Sequence, residues 1–170
     1  MYAVVLCGLW GGSVIGWLFR RWFLRRTLRK AQPLSGLALP VTDGTINARL
    51  VLIPSEIPFA CSFEFYGLHR EAIVAVSARC RRMLAPEEMH AILAHEAAHL
   101  AAGDCAVDAL LQAFGRICFV GDTFVRAAFL DSYGFEERAD RRAVNRFGAD
   151  PRALWRALVR MKNAAAAEGM

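Results

Sequence analysis

Histidine is scarce in this chain: four residues in 170, and none after position 99. That scarcity excludes the zinc enzymes whose third ligand is a late histidine in an extended H-E-x-x-H-x-x-G-x-x-H motif. The five cysteines, Cys7, Cys61, Cys80, Cys105 and Cys118, are odd in number and follow no C-x-x-C spacing. They fit a reducing compartment better than a disulfide framework. Positive charge is also thin outside one run. Six of the 21 Lys and Arg residues are Arg20, Arg21, Arg25, Arg26, Arg29 and Lys30, which leaves residues 31–170 with 15 basic against 16 acidic groups. A nucleic-acid binder carries a basic face within its folded part, so no nucleic-acid partner is expected. No internal repeat is present, and low complexity is confined to the tail "AAAAEGM".

Ionisable groups are missing almost entirely from residues 2–19, "YAVVLCGLWGGSVIGWLF", where only Tyr2 and Cys7 can titrate. As a helix this run spans about 27 Å, close to the hydrocarbon thickness of a bilayer. Trp17, Phe19 and Trp22 suit the membrane interface, and the arginines that follow favour the cytoplasmic side. A signal peptide has its positive charge before the apolar run and a small-residue cleavage site after it. Neither is present, so the run reads as an uncleaved anchor. The expectation is a single-pass protein of the bacterial inner membrane, N-terminus outside, with its body in the cytoplasm. Gly8, Gly12 and Gly16 recur at four-residue spacing and offer a face for self-association in lipid.

The length suits one domain with a real core. Residues 1–30 are expected to form the anchor with its basic cytoplasmic flank. Residues 31–44, "AQPLSGLALPVTDG", read as a linker, and residues 45–170 as the body. Three short runs have strand character, residues 48–54, 59–67 and 71–78, and their brief connections suit a small antiparallel sheet. Pro86, with Glu87 and Glu88 behind it, starts a helix that Gly103 ends. Residues 105–130 are apolar enough for a second span. However, Asp108, Gln112 and Arg116, then Asp122 and Arg126, form a polar stripe that favours an amphipathic helix. A further helix over 135–147 stops at Gly148, and Asp150 with Pro151 caps and starts the last one.

Residues 94–104 read "AHEAAHLAAGD". On a helix His95 and His99 lie one turn apart on one face and present two imidazoles to one point, the geometry of two zinc ligands. Glu96 then sits beside the metal, where it can take a proton from a water that zinc has made acidic. A solvated helix face is the competing account, but solvated histidines normally have charged neighbours and these are flanked by alanine and leucine. A catalytic zinc takes three protein ligands, so a carboxylate must supply the third. Glu136 and Asp140 share a helix face: Glu136 can reach the metal while Asp140 accepts a hydrogen bond from a ligand imidazole. Glu137 pairs instead with Arg141. Asp104 either braces the site from outside the ligands or caps the helix beginning at Cys105.

"LAPEEMHAILAHEAAHLAAGD" and "FEERADRRAVNRFGADPRALWRAL" together resemble the membrane zinc metallopeptidases of the HtpX and CaaX-protease type. They are also similar to the peptidase domain of the β-lactam sensor-transducers. "PFACSF" and "AIVAVSARCRRMLAPEE" resemble the strands that precede the motif, so the likeness covers roughly residues 50–160. It implies an α+β, minimal gluzincin-like fold with a small sheet and an active-site helix pair, here behind one N-terminal transmembrane helix. It implies Zn²⁺ held by His95, His99 and Glu136, Glu96 as catalytic base, and a polypeptide substrate extended along a strand near the site. The leading expectation is thus a membrane-anchored zinc endopeptidase, with the bilayer and a polypeptide as partners. Two alternatives stand beside it: a non-catalytic, zinc-stabilised membrane module that binds a protein, and a regulatory peptidase that cleaves a repressor on signal.

Overall fold

The computed structural model describes residues 18, 21–34, 36–39, 47–65, 71–105, 107 and 132–167. Nearly all of the expected anchor, its Gly8, Gly12 and Gly16 face, and most of the 105–130 stretch lie outside them. Among the described residues no helix is long and apolar enough to cross a membrane.

The strands are β1 (Gln32–Pro33), β2 (Ala48–Ile53), β3 (Ala60–Phe65) and β4 (Glu71–Ser77). Residues 21–30 form helix α1. The remaining helices are α2 (Ala78–Met83), α3 (Pro86–Ala102), α4 (Ser132–Asn145) and α5 (Pro151–Ala167). The sheet order is β1-β2-β4-β3. β3 pairs antiparallel with β4, but β2 pairs parallel with it, so the sheet is mixed rather than antiparallel. The expectation of antiparallel pairing assumed that consecutive runs pair. β3 and β4 do pair so, but β2 lies against the other edge of β4 and runs parallel to it.

β4 explains this arrangement. Ala72 to Ser77 are all buried, as befits a central strand covered on both faces. Its side chains alternate between two cores. Ala72, Val74 and Val76 join the larger cluster with Leu50, Ile92, Leu93 and Ala97; Ile73 and Ala75 join the smaller one with Val51, Phe65 and Leu28. The larger core holds α3, and the smaller one holds α1. The expected linker is partly folded into the body: β1 pairs with β2, and the Leu34 N–H donates to the Leu50 carbonyl at 3.1 Å.

α3 starts at Pro86 and ends where Gly103 adopts φ 72°, a left-handed conformation that favours glycine. Buried residues surround it on every side, from Met89 to Leu100, which marks a core helix rather than a surface one. The Glu88 carboxylate accepts from the Ala85 N–H at 3.0 Å and lies 3.4 Å from Arg160 and 3.6 Å from Arg156 on α5. Buried Ala139 and Ala143 let α4 approach α3 closely, and Asp150 caps α5 through the N–H groups of Arg152 and Ala153, both at 3.1 Å.

Candidate metal centre

His95 and Glu96 are each 7% exposed, so the H-E-x-x-H turn is in the interior and not on a solvated helix face. The two imidazoles converge, with Nε2 to Nε2 at 3.1 Å. Glu136, one turn before the alanine contact of α4, brings Oε2 to 3.2 Å from His95 Nε2 and 3.6 Å from His99 Nε2. The other ring nitrogens are each engaged by a carboxylate. His95 Nδ1 lies 2.8 Å from Asp140 Oδ1, and His99 Nδ1 lies 2.9 Å from Asp104 Oδ2. Asp104 is thus a partner of His99. Glu137 turns away to Arg141, 2.7 Å distant and exposed. His90, on the same helix, is exposed and outside the cluster.

These contacts define the chemistry of the donor set. An imidazole that donates its Nδ1 proton to a carboxylate carries, when neutral, a lone pair on Nε2. Two such lone pairs and a carboxylate oxygen then face one another, all within 4.8 Å. Among the described residues no cationic side chain stands between them to offset their repulsion, so the arrangement suits a cation. Tetrahedral zinc with ligands at 2.0–2.1 Å separates any two ligand atoms by about 3.3–3.4 Å. Separations of 3.1, 3.2 and 3.6 Å bracket that figure, so the residues present fit a zinc ion.

The metal-free electrostatics carry the same sign. Burial pulls His99 down, but the hydrogen bonds that its ring donates to Glu136 and Asp104 outweigh it and push the imidazole up to about 9. His95 is also raised: burial opposes, and Glu136, Glu96 and Asp140 prevail. Glu136 is held well below the usual carboxylate range by the two histidines. Protons thereby occupy the place that the donor set offers to a metal. Burial raises Glu96, the direction suited to a group that takes up a proton, against the pull of His95 and His99.

The cluster opens into a cleft of about 480 Å³, whose apolar wall is Ile92, Phe135, Leu158 and Met161. Cys61, Ser62 and Cys105 also line it. Burial, with the nearby Glu96 adding to it, pushes Cys61 up to about 12, and burial raises Cys105 to about 11. At both positions burial thus opposes formation of a thiolate. Sequence reasoning passed over Ser62, Cys105 and the apolar wall. Alternation along β3 could have set Ser62 apart from Cys61. Which face of β3 meets α3 is a tertiary fact with no local signal.

The site joins a buried H-E-x-x-H turn, a carboxylate from a second helix and a cleft beside them, a donor set of the kind that can hold a metal. Residues 63–144 match the model of peptidase family M48. The chain is 29% identical over 143 residues to a protease HtpX homolog of Aeropyrum pernix, covering 80% of this chain and 45% of that protein. It is 35% identical over 72 residues to one from Persephonella marina, covering 42% and 24%. The chain thus spans less than half the length of these curated relatives. No solved structure matches it. The chain is thus similar to peptidase family M48 and to protease HtpX homologs, the resemblance that its motifs carry.

Proposed function

We propose that the chain is a membrane-anchored zinc endopeptidase whose metal is held by His95, His99 and Glu136. The carrying observation is the convergence of three lone-pair donors, two imidazoles and a carboxylate, within 4.8 Å of one another. Asp140 and Asp104 hold the two imidazoles in the tautomer and orientation that a metal needs. Zinc in this place supplies Lewis-acid polarisation of a peptide carbonyl and acidifies water. Glu96 takes the proton of the attacking water and passes it to the leaving amine. Among the described residues β3 has a strand neighbour, β4, on one side only, so its other edge is where an extended polypeptide would add as a strand. The anchor is residues 2–19, with the body on the cytoplasmic side of the inner membrane and Gly8, Gly12 and Gly16 as a self-association face.

The test compares wild type with Glu96→Gln for metal content and for cleavage across a proteome. The expected result is about one zinc per chain in both, with hydrolysis confined to wild type. Equal cleavage by both proteins overturns the assignment of the base. Zinc in both with cleavage by neither returns the non-catalytic binding module.

A further inference from the structure

Trp155 is the most exposed large apolar side chain among the described residues, at 67%. It stands on α5, whose buried side is Ala153, Leu154 and Ala157, and it shares a shallow recess with Arg152 and Arg156. Helical spacing puts Arg152, Trp155, Arg156, Val159 and Lys162 on one outward face. From Pro151 to Ala167 the helix holds four basic residues and no Asp or Glu. Arg156 and Arg160 have a single buried carboxylate between them, that of Glu88, at 3.6 and 3.4 Å. The Asp150 carboxylate is turned to the N–H groups of the first turn. Lone exposed apolar residues are common, but tryptophan among arginines is the composition enriched where a protein meets a partner. The face also runs into the cleft. Leu158, three residues after Trp155 and 38% exposed, belongs to the apolar wall, as does Met161 three residues further on. Steps of three residues follow one side of a helix, so the three form a ridge leading from the metal centre to the outward face.

We propose that the outward face of α5 docks an acidic segment of the polypeptide substrate, with an apolar side chain of that segment on Trp155 and its carboxylates on Arg152, Arg156 and Lys162. This rests on the reading of the cleft as a peptidase site. The segment lies outside the cleft, further along the chain whose scissile bond is at the metal. Positive charge on this face steers an acidic chain towards the cleft, and a second point of attachment raises the effective concentration of the scissile bond there. A bilayer is the other anionic, amphipathic partner that such a face could suit. The architecture favours the polypeptide: α5 shares the larger core with α3, whereas α1, which leads from the expected anchor, closes the smaller core on the other side of the sheet.

The test uses full-length Glu96→Gln protein in phosphatidylcholine nanodiscs, so that bound peptide is not consumed. Fluorescence anisotropy follows two labelled peptides, one of alternating Phe and Glu and one of alternating Phe and Lys. The Glu peptide is expected to bind and the Lys peptide not, and binding weakens as salt rises, because the charges on the face are exposed and screened. Trp155→Ala and Arg152→Glu, each added to the same background, are expected to raise Kd about tenfold, the loss for a truncated anchor or a reversed charge at an interface. Equal binding of the two peptides, or an unchanged Kd in both variants, overturns the proposal. Loss of peptide binding when phosphatidylserine is added to the discs assigns the face to lipid and overturns it as well. Should Trp155→Ala not fold, Arg152→Glu, at an exposed position, decides by the same criteria. If wild type cleaves nothing, the peptidase reading falls, and the ratio of Kd values alone decides the surface.

Discussion

The two faces of the sheet share the same strands and are held by different means. On the α3 face, donors crowd together: three lone-pair atoms within 4.8 Å, two carboxylates behind them and a buried glutamate beside them. On the α1 face, Leu24 and Leu28 close over Val51, Phe65 and Ile73. Arginines finish the rim there. Arg25 and Arg29 bind Glu71 at 2.8 and 2.7 Å, and Arg21 donates to the Glu64 carbonyl at 2.8 Å. Arg49 donates to the Arg29 carbonyl at 2.9 Å and to that of Leu28. The α1 face is held by apolar packing and by these ion pairs and hydrogen bonds. The other leaves a charge pattern that only a proton or a metal completes, and a structure keeps such a pattern where chemistry uses it. Arg21, Arg25 and Arg29 of the basic run, expected from sequence to be a membrane flank, fasten α1 to the sheet.

The largest effect that separates the faces is loss of the metal. His95→Ala or His99→Ala should take zinc from about one per chain to near none by elemental analysis, since each removes one of three ligands. Substantial zinc in either variant would dissolve the distinction between the faces. Within the site, Glu136→Ala should lose most of the zinc affinity, and Asp140→Asn should weaken it about 10–100-fold. Glu137→Ala should leave affinity unchanged, because its partner is Arg141 and the pair is exposed. Competition against a chromogenic chelator ranks the three. A zinc-deficient Glu137→Ala would contradict the placement of Glu136.

The α1 face should answer to stability and not to zinc. Leu28 is 3% exposed, so Leu28→Ala should destabilise the fold by about 2–5 kcal/mol in denaturant unfolding, with zinc stoichiometry intact. The smallest effect is on the rim. The hydrogen bond from Arg29, with further help from Arg25 and against burial, holds the Glu71 carboxyl below its ordinary value of 4.5. A lowered folded value contributes stability that is present above the unfolded value and is lost as pH falls through the folded one. The Tm of wild type should therefore exceed that of Glu71→Gln slightly at neutral pH, and the gap should close in acid below the carboxylate range. A gap that widens on acidification would reverse the sign.

The same division explains what was legible in the sequence. The meeting of His95, His99 and Glu136 could be read because each step is local: four residues on one helix, then the helical phase that aligns Glu136 with Asp140. Helix α3 announced its ends through Pro86 and Gly103, and α5 announced its start through Asp150. The order of the strands could not be read, since β2 reaches β4 in parallel past β3 and nothing in either run encodes its neighbour. Nor could the docking of α1. Its ion pairs join residues 46 and 42 positions apart, and an arginine run before a domain looks alike whether it faces lipid headgroups or a glutamate on a strand. The place of Ser62 in the cleft lining was hidden for the same reason, because a helix packed on its face of the sheet creates that cleft.

The central claim is that three side chains of the α3 face, two imidazoles and one carboxylate, hold a single zinc. X-ray absorption at the zinc edge of the purified full-length protein tests it most directly. The account predicts nitrogen and oxygen scatterers at about 2.0–2.2 Å with imidazole outer-shell features and no sulfur. Sulfur at about 2.3 Å would place the metal on Cys61 or Cys105 and contradict it, as would protein that retains no zinc at all.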